Sequence, residues 1–378
     1  MGMRGDGITD RIDERSGHGA QSVLNVLVVD DSAVVRQAMT SILSRDKGLR
    51  VTVAADPYFA MRKMEVERPD VIVLDVLMPR MDGLTFLRKI MSEDPIPVVI
   101  CSGAAGPGTE AAVKALEEGA VEIVAKPKVG VRDFLEESAL LLIDTIRGAA
   151  ESRLRSRSAA APAMQRFKTG ALVMPGKFSA VVSTDKVVAI GASTGGTEAL
   201  KMVLEAMPSN APGIVIVQHM PEGFTAAFAN RLNQLCRIHV KEAASGDILK
   251  PGMALVAPGN HHISVVRVGG GYAVEVSDGP LVSRHRPSVD VLFHSVAKSV
   301  GYNAIGVIMT GMGNDGAEGM SEMKRAGAVT IAQDEASCTV FGMPKEAIAR
   351  GAVDDVVPLQ RISWHILERA GINPLGAL

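Results

Sequence analysis

Ser193 is the side chain of this sequence whose position best suits nucleophilic chemistry. It lies where an apolar segment, 187–190, ends in a glycine-rich turn and a helical pattern begins at Glu198. A hydroxyl group on such a turn projects from the edge of a sheet, and the first N–H groups of the helix point towards any negative oxygen formed beside it. The segment from Gly191 to Gly195 also has the G-x-S-x-G spacing of a nucleophile elbow. Turns of this kind also bind phosphate or simply allow close packing, so the segment alone leaves these interpretations open.

The same segment does not favour a dinucleotide site. The G-x-G-x-x-G fingerprint is incomplete, because Ser193 occupies the position of its second glycine. The next apolar strand candidate, 213–217, leads into Gln218 and His219 and not into the acidic residue that would bind a ribose. His219 is instead a candidate general base.

Three polar residues, Ser193, His219 and Asp315, follow three candidate parallel strands. Taken singly, His219 is compatible with a structural histidine, and Asp315 with a turn former or a helix cap. Together they match the needs of a serine nucleophile, because a hydroxyl requires a base to accept its proton and an imidazole requires a carboxylate to fix its tautomer. The chain order Ser, His, Asp differs from the Ser, Asp, His order of α/β-hydrolases, which argues against that superfamily.

The elements around these residues predict an α/β domain in residues 185–378. Helix-like segments alternate with apolar strand candidates, which indicates a doubly wound, Rossmann-like parallel sheet. Two alternating segments separated by the glycines 269–271 predict a β-hairpin inserted into this pattern. The strand candidates are 187–190, 213–217, 253–257, 263–266, 272–276, 304–309 and 328–332, and the helix candidates include 198–207, 225–235, 289–300 and 320–325.

The first half of the chain, residues 24–147, predicts a second doubly wound parallel sheet. Five short apolar strand candidates alternate there with helix-like segments. In such a sheet, function gathers beyond the carboxyl ends of the strands. The strand candidates are 26–29, 51–54, 71–74, 98–101 and 121–124, and the polar residues at their ends are Asp30, Asp31, Asp75, Ser102 and Lys126.

Three carboxylates at one sheet edge repel one another strongly unless a cation joins them. Their hard oxygen atoms suit Mg²⁺, which keeps several water ligands. Mg²⁺ and Lys126 would neutralise a phosphoryl group carried on one carboxylate, and the hydroxyl of Ser102 would bond one of its oxygens. The first half is therefore a candidate for a phosphoacceptor site, although an acidic pair taken alone is usually a solvated turn.

Over the whole of residues 24–147, the chain resembles the receiver domain of two-component response regulators, which has a flavodoxin-like fold. The resemblance implies that Asp75, in the stretch LDVLMPRMDG, accepts the phosphoryl group. The implied Mg²⁺ ligands are Asp30, Asp31, Asp75 and the carbonyl of Leu77. Many receivers carry an aromatic switch residue three positions before the lysine, where this chain has Ile123. We therefore expect weaker or differently routed coupling between phosphorylation and output.

From about Lys186 to its C-terminus, the chain resembles the catalytic domain of chemotaxis protein-glutamate methylesterases. The matching stretches are GASTGG at 191–196, QHMP at 218–221, RPSVD at 286–290 and TGMGNDG at 310–316. The resemblance implies that Ser193 is the nucleophile, His219 the general base and Asp315 the carboxylate that orients the base.

The implied reaction is hydrolysis of a γ-glutamyl methyl ester on a methyl-accepting chemotaxis receptor, with deamidation of receptor glutamines by the same machinery. Backbone N–H groups near Thr194 and Met312 would bind the oxyanion. The implied phosphodonor for Asp75 is the chemotaxis histidine kinase, and we expect the unphosphorylated receiver to cover the cleft beside Ser193. No cofactor is expected in the catalytic domain. The basic stretch 284–286 is either a docking surface for an acidic receptor helix or a solvated turn.

Length and composition agree with two globular domains. The chain has 378 residues, 47% of them hydrophobic, and a formal net charge of −2, which gives no general attraction to nucleic acid. No apolar run approaches the ~20 residues of a membrane span, and the first residues lack a signal-peptide pattern, so we expect a cytoplasmic protein without membrane insertion. Its three cysteines are widely spaced and lack metal-ligand spacing.

Two segments lie outside the predicted domains. Residues 1–23 are polar and rich in glycine, and we expect them to form a disordered leader. Residues 148–184 combine basic side chains with an alanine and proline run at 159–163, which predicts a linker. The linker is either a solvated tether or a basic patch that docks an acidic partner.

A different class of function stays open at this point. The second domain would then be a phosphorylation-controlled binding module whose glycine-rich loops hold a nucleotide or a protein partner without chemistry. Dinucleotide binding without esterase activity would distinguish it. A DNA-binding output is less favoured, because no compact basic helix-turn-helix pattern follows the linker.

Overall fold

The structure is a computed structural model that describes residues 23–103, 106–127, 132–152 and 186–373. The predicted leader, apart from its last residue, and the predicted linker from residue 153 onwards lie outside these ranges. None of the described helices is both long enough and apolar enough to cross a membrane.

The sheet of the first domain consists of short, mostly apolar strands. They are β1 (Leu24–Val29), β2 (Leu49–Ala54), β3 (Val71–Leu74), β4 (Val98–Ser102) and β5 (Glu122–Ala125). All neighbours pair in parallel, in the order β2-β1-β3-β4-β5. Every residue of β3 and β4 is buried, as expected for strands covered by helices on both faces. The predicted flavodoxin-like sheet is confirmed, and its order reverses between β1 and β3, where such folds place their ligands.

Helices cover both faces of this sheet. They are α1 (Ala33–Leu43), α2 (Pro57–Val66), α3 (Gly83–Glu93), α4 (Pro107–Glu117) and α5 (Arg132–Ala150). Ser32, Asp56 and Asp82 cap α1, α2 and α3, each accepting a bond from the N–H three residues later. The caps at Ser32 and Asp56 begin helices directly after β1 and β2, whereas the cap at Asp82 begins α3 after a longer loop, 75–82. Helix α5 continues to Ala150, past the predicted start of the linker at residue 148.

The second domain has one parallel sheet and a separate hairpin. Its strands are β6 (Val187–Ala192), β7 (Gly213–Gln218), β8 (His239–Glu242), β9 (Met253–Val256), β10 (His262–Val268), β11 (Gly271–Ser277), β12 (Ala304–Ile308), β13 (Val329–Gln333) and β14 (Asp355–Val357). Seven strands lie in the order β14-β13-β12-β6-β7-β9-β8, and β10 pairs with β11 in an antiparallel hairpin. The predicted parallel sheet with a hairpin insertion is confirmed. Strands β6, β7 and β12, at the centre of the sheet, are wholly buried.

Two strands at the margins of this sheet were missed by the sequence analysis. Strand β8 has the polar sequence HVKE, and β14 has only three residues. Neither segment carries an apolar period long enough to indicate a strand. These two segments form strands because they pair with the neighbouring strands β9 and β13.

The helices of the second domain form two layers. They are α6 (Gly196–Glu205), α7 (Phe224–Leu235), α8 (Val289–Ser299), α9 (Ala317–Arg325), α10 (Met343–Ala349) and α11 (Leu359–Arg369). Buried side chains of α6, α7 and α11 share one apolar cluster, whereas those of α8, α9 and α10 share another on the opposite face. The sheet is therefore doubly wound, as predicted.

The two domains contact each other through α4 of the first and α6 and α7 of the second. Apolar side chains of both domains, including Leu116 and Phe228, line the contact. At its rim, the guanidinium of Arg231 donates to the carboxylate of Glu117, with Nη2 and Oε2 3.2 Å apart. One apolar cluster therefore runs from the first domain into the second.

Candidate active site and phosphoacceptor site

Three neighbouring strands bring Ser193, His219 and Asp315 to one edge of the second sheet. Strand β6 lies between β12 and β7, and all three run parallel. Ser193 follows β6, His219 follows β7, and Asp315 lies in the loop between β12 and α9. The carboxyl ends of parallel strands share an edge, so the three side chains converge although they are distant in sequence.

The backbone of Ser193 is fixed by bonds to the ends of both neighbouring strands. Its N–H donates to the carbonyl of Thr310 at 3.0 Å. Its carbonyl accepts from the N–H of Gly196 at 2.6 Å and from the side-chain amide of Gln218 at 2.9 Å. Ser193 is 7% exposed, so its hydroxyl lies in a nearly enclosed position at the sheet edge.

Two glycines allow the chain to approach this closely. Gly195 has a φ of 77°, in the left-handed region that favours glycine, and a Cβ there would lie 2.4 Å from the side chain of Thr339. A Cβ on Gly311 would lie 2.7 Å from the Cβ of Ser193. Side chains at these positions would fill the space around the candidate nucleophile.

His219 is held by Asp315. The Nε2 atom of its ring lies 2.8 Å from Oδ2 of Asp315. Asp315 is an acceptor, so Nε2 carries the hydrogen and Nδ1 has the free lone pair. Within the described part of the chain, the buried Nδ1 atom has no hydrogen-bond partner, and the hydroxyl of Ser193 is not yet bonded to it. In this tautomer, Nδ1 is the ring atom that is able to accept a hydrogen bond.

Asp315 receives four hydrogen bonds, which fix it as a carboxylate. Besides His219, it accepts from the hydroxyl of Ser288 at 2.7 Å and from the backbone N–H groups of Val289 at 2.7 Å and Asp290 at 3.1 Å. Burial acts to raise the pKa of Asp315, but the bond from His219 and the charge of that ring when it is protonated, together with the bonds from Val289 and Ser288, lower the pKa of Asp315 to about 2. The N–H groups belong to the first turn of α8, whose dipole also favours the anion.

Sequence reasoning did not identify the residues that build this support. Ser288 caps α8, and its N–H donates to Nδ1 of His262 at 3.2 Å, while Nε2 of His262 lies 2.9 Å from the carbonyl of Pro280. Thr310 donates its hydroxyl to the carbonyl of Thr194 at 2.9 Å. Ser288 and Thr310 lie inside the matching stretches RPSVD and TGMGNDG, but their own sequence does not indicate the distant partners that they contact.

Thr194 and Met312, the candidates for binding an oxyanion, lie beside the end of the first domain. Among the described residues, the backbone N–H groups of Thr194 and Met312 have no acceptor. A Cβ added to Gly148, in the last turn of α5, would lie 3.1 Å from Sδ of Met312 and 3.4 Å from Oγ1 of Thr194. The C-terminal end of α5 therefore packs directly against both residues. A cavity of about 280 Å³, lined in part by Glu151 and Phe341, lies next to this contact.

The edge of the first sheet gathers the acidic residues. Asp30 and Asp75 are buried, Asp31 is exposed, and one side-chain oxygen from each lies within 4.8 Å of the others. The ammonium of Lys126 lies 2.9 Å from Oδ2 of Asp30 and 2.7 Å from Oδ2 of Asp75. Burial raises the pKa of Asp75 against the opposing effect of Lys126. An all-oxygen set with more negative than positive charge fits Mg²⁺.

Ser102, Leu77 and Ile123 lie close to this edge. Ser102 ends β4, is buried, and its carbonyl accepts from the N–H of Lys126 at 2.9 Å. The N–H of Leu77 donates to Oδ1 of Asp75 at 3.3 Å, which places the loop after β3 against the acidic cluster. Ile123 is buried in the cluster that includes the apolar face of α4.

The fold and the two edges together define a class: a parallel α/β domain with clustered carboxylates and a lysine at its edge, joined to a second α/β domain with a serine, a histidine and a carboxylate at its edge. Comparison with known families agrees with this division. Residues 26–135 match the response regulator receiver domain, and residues 188–366 match the CheB methylesterase domain.

Relatives that span nearly the whole chain identify the family. A protein-glutamate methylesterase/protein-glutamine glutaminase of Geobacter metallireducens is 58% identical over 352 residues, covering 92% of this chain and 99% of the relative. One from Anaeromyxobacter dehalogenans is 58% identical over 343 residues, covering 90% of this chain and 98% of the relative. The catalytic domain of Thermotoga maritima CheB is 39% identical, with a TM-score of 0.48, and covers 48% of this chain and 97% of that domain. The chain belongs to the protein-glutamate methylesterase/protein-glutamine glutaminase family and is an enzyme of this kind.

Proposed function

We propose that this enzyme hydrolyses γ-glutamyl methyl esters on methyl-accepting chemotaxis receptors, with Ser193 as nucleophile, His219 as general base and Asp315 as the carboxylate that orients the base. The observation that carries this proposal is the bond between His219 and Asp315 at the sheet edge that Ser193 shares. It leaves Nδ1 of His219 as the available proton acceptor.

In the first half of the reaction, Ser193 Oγ attacks the ester carbonyl while its proton passes to Nδ1 of His219. Asp315 stays ionised, because its pKa is about 2, and stabilises the imidazolium through Nε2. The tetrahedral intermediate collapses, and methanol leaves with the proton that His219 holds. Water then attacks the acyl-enzyme with His219 as base, and the receptor glutamate is released.

The oxyanion of each tetrahedral intermediate is proposed to bind the backbone N–H groups of Thr194 and Met312. Both lack acceptors among the described residues, as donors of an oxyanion hole must before substrate arrives. A glutamine amide passes through the same type of intermediate and loses ammonia in place of methanol. This is the chemical basis on which one site would serve both activities.

We also propose how the chain is divided into domains and which residues take part in its phosphorylation. Residues 24–147 form the receiver and residues 185–378 the catalytic domain, with a leader at 1–23 and a linker at 148–184. The chemotaxis histidine kinase supplies the phosphoryl group for Asp75. Asp30, Asp31, Asp75 and the carbonyl of Leu77 would hold Mg²⁺, which neutralises charge there, while Lys126 and Ser102 bind the phosphoryl oxygens.

Control by phosphorylation is supported by the contact of α5 with the active site. In the arrangement described, the end of α5 at Gly148 lies against Met312 and Thr194, where a receptor segment must enter. Phosphorylation would shift the population towards an arrangement in which this contact is open. The guanidinium of Arg284 is also paired across the domains, with Nη1 2.7 Å from Oδ2 of Asp144, so it attracts an acidic receptor only after that pair separates.

Methanol release from methylated receptor membranes tests the proposal. The parent protein, a Ser193→Ala variant and an Asp75→Asn variant are compared with and without a small phosphodonor and Mg²⁺. We expect Ser193→Ala to release no methanol under either condition. Methanol release should rise with the phosphodonor in the parent but not in Asp75→Asn. Equal release from the parent and Ser193→Ala would reject the nucleophile, and an equal response of Asp75→Asn would reject the phosphorylation site.

A further inference from the structure

His285 lies face to face with His219. The centroids of the two rings are 3.7 Å apart, and their planes differ by 8°. His285 belongs to no strand of the sheet and is delivered by a tight turn between β11 and α8. Ser283 and Arg284, at the centre of that turn, have φ angles of 51° and 67°, and Val282 and His285 exchange two backbone hydrogen bonds of 3.1 and 2.9 Å.

The surroundings hold this turn in its unusual conformation. The guanidinium of Arg286 donates to the carbonyl of Gly279 and, at 2.8 Å, to Oδ1 of Asn260. The N–H of Asn260 in turn donates to the carbonyl of Arg286 at 3.1 Å. Left-handed conformations in residues other than glycine persist only where the surrounding contacts fix them, and they cluster at functional sites. The turn therefore fixes the place of the His285 ring independently of His219.

We propose that His285 is a positioning residue for the reaction, whose ring holds the imidazole of His219 so that Nε2 stays on Asp315 and Nδ1 faces the hydroxyl of Ser193. This inference rests on the proposed role of His219 as the base. A single hydrogen bond from Nε2 to Asp315 leaves the imidazole free to rock about that bond. A flat ring packed in parallel against its face removes this freedom.

The stack also suits the charge that forms during the reaction. Burial, and next the charge of His219, lower the pKa of His285 to about 3, so this ring is neutral between pH 5 and pH 8. When His219 takes the proton of Ser193, it faces the π-system of a neutral ring, which attracts a cation. A positively charged side chain at the same place would repel the imidazolium.

Two substitutions of His285 distinguish the effect of a flat ring from the effect of side-chain volume. His285→Phe keeps a planar aromatic face, whereas His285→Leu fills a comparable volume without one. We expect His285→Phe to keep kcat within about threefold of the parent, and His285→Leu to lower kcat roughly tenfold with KM unchanged, the size expected for the loss of one aromatic pair. Equal kcat values for the two variants, or a change confined to KM, would overturn the proposal.

The ring of His219 provides a readout that does not depend on esterase activity. In ¹⁵N-histidine spectra of the full chain, with the His219 signals assigned by their loss in His219→Gln, the parent and His285→Phe should show the single Nε2–H tautomer. His285→Leu should show averaging between tautomers, and His294→Leu, at an exposed histidine of α8, should leave the His219 signals unchanged. Parent-like His219 signals in His285→Leu would overturn the proposal even if methanol release confirms the proposed function.

The same spectra distinguish failure of the proposed function from failure of the role proposed for His285. If Ser193→Ala retains full activity, the proposed function fails, while the His219 signals still decide whether His285 fixes the ring. If Ser193→Ala is inactive but His285→Leu matches the parent in kcat and spectrum, only the positioning role fails. Should His285→Leu not fold, His285→Asn supplies the same comparison with a smaller polar side chain.

Discussion

The carboxyl edges of the two sheets hold similar residues in opposite electrostatic states. In the first domain, burial raises the pKa of Asp75, Lys126 opposes that effect, and the neighbouring charge of Asp30 adds to it. In the second domain, donors from His219 and the first turn of α8 overcome burial and lower the pKa of Asp315 to about 2. One edge has a complete set of partners for its carboxylate, and the other has an excess of negative charge.

This difference matches the roles proposed for the two edges. A carboxylate that must stay ionised through every turnover is best served by permanent partners in the protein. A carboxylate that must accept a phosphoryl group is better served by a site whose negative charge is completed by a cation from solution. We therefore expect substitutions at the edge of the second sheet to lower kcat, and substitutions at the edge of the first sheet to change stability and the response to phosphorylation.

Asp315→Asn should have the largest effect. Asparagine keeps the shape of the side chain but cannot stabilise the imidazolium of His219 or fix its tautomer, so we expect kcat for methanol release to fall by about 10⁴. The matched control is Asp278→Asn, which alters an exposed pair with Nδ1 of His261 at 2.6 Å and should leave kcat unchanged. Similar losses of kcat in both variants would show that the bond between Asp315 and His219 has no special role in the reaction.

Gly148→Phe should raise the activity of the unphosphorylated enzyme. A large side chain cannot fit where a Cβ already lies 3.1 Å from Met312, so it should separate α5 from the active site and increase basal methanol release roughly fivefold or more. Leu140→Phe, at an exposed position on the same helix, should leave basal release at the parent level. Occlusion by α5 is excluded if Gly148→Phe shows parent-level release while its domains remain folded.

Asp75→Asn should stabilise the receiver at pH 7. Because the folded-state pKa of Asp75 is raised, its ionisation costs stability above that pKa, and the cost is absent below the ordinary value of 3.8. The melting temperature of the variant should exceed that of the parent by a few degrees at pH 7, and the gap should close as the pH falls below about 4. Added Mg²⁺ should stabilise the parent more than the variant.

The opposite sign is expected for Asp46→Asn in the same domain. The N–H of Gly48, and then Arg147, lower the pKa of Asp46, so its stabilising contribution is present above pH 3.8 and is lost as the pH falls through its folded-state pKa. Asp46→Asn should therefore lower the melting temperature at pH 7. If both variants shift the melting temperature in the same direction, the contrast drawn for the receiver carboxylates is wrong.

Ile123→Phe should have the smallest effect, on the response to phosphorylation. An aromatic ring at this position should increase the ratio of phosphorylated to basal activity, at some cost in stability because Ile123 is 2% exposed in a packed core. The ratio is measured with the phosphodonor titration used for the parent. An unchanged ratio in a folded variant would contradict the expectation that Ile123 weakens or reroutes the coupling between phosphorylation and activity.

Much of the fold could be predicted because its signals are local. Strands β1, β3, β6 and β7 each contain a continuous apolar run that is followed by a polar or glycine-rich turn, and the hairpin β10–β11 alternates around glycines. Ser193, His219 and Asp315 could be proposed together because each directly follows such a run or its loop. Strands β8 and β14 could not be predicted, because pairing with neighbouring strands, and not their own sequence, makes these segments extended.

The supporting residues of the site were beyond sequence reasoning for a different physical reason. His285 looked like one member of a basic turn, and only the fold shows its ring on that of His219, 66 positions away in the sequence. Ser288 and Gly148 likewise act through partners that are distant in the chain. Local patterns indicate which residues reach a sheet edge, but contacts between loops and domains depend on the whole fold.

Covalent trapping would show whether Asp315 and His219 activate Ser193. The parent, Asp315→Asn and Asp278→Asn are exposed to a fluorophosphonate at pH 7, and the modified residue and its rate of modification are determined by mass spectrometry. We expect one adduct per chain, on Ser193. It should form in Asp278→Asn at the rate of the parent, and in Asp315→Asn at least ~10³-fold more slowly. An adduct on another residue, or labelling of Ser193 at the parent rate in Asp315→Asn, would contradict this expectation.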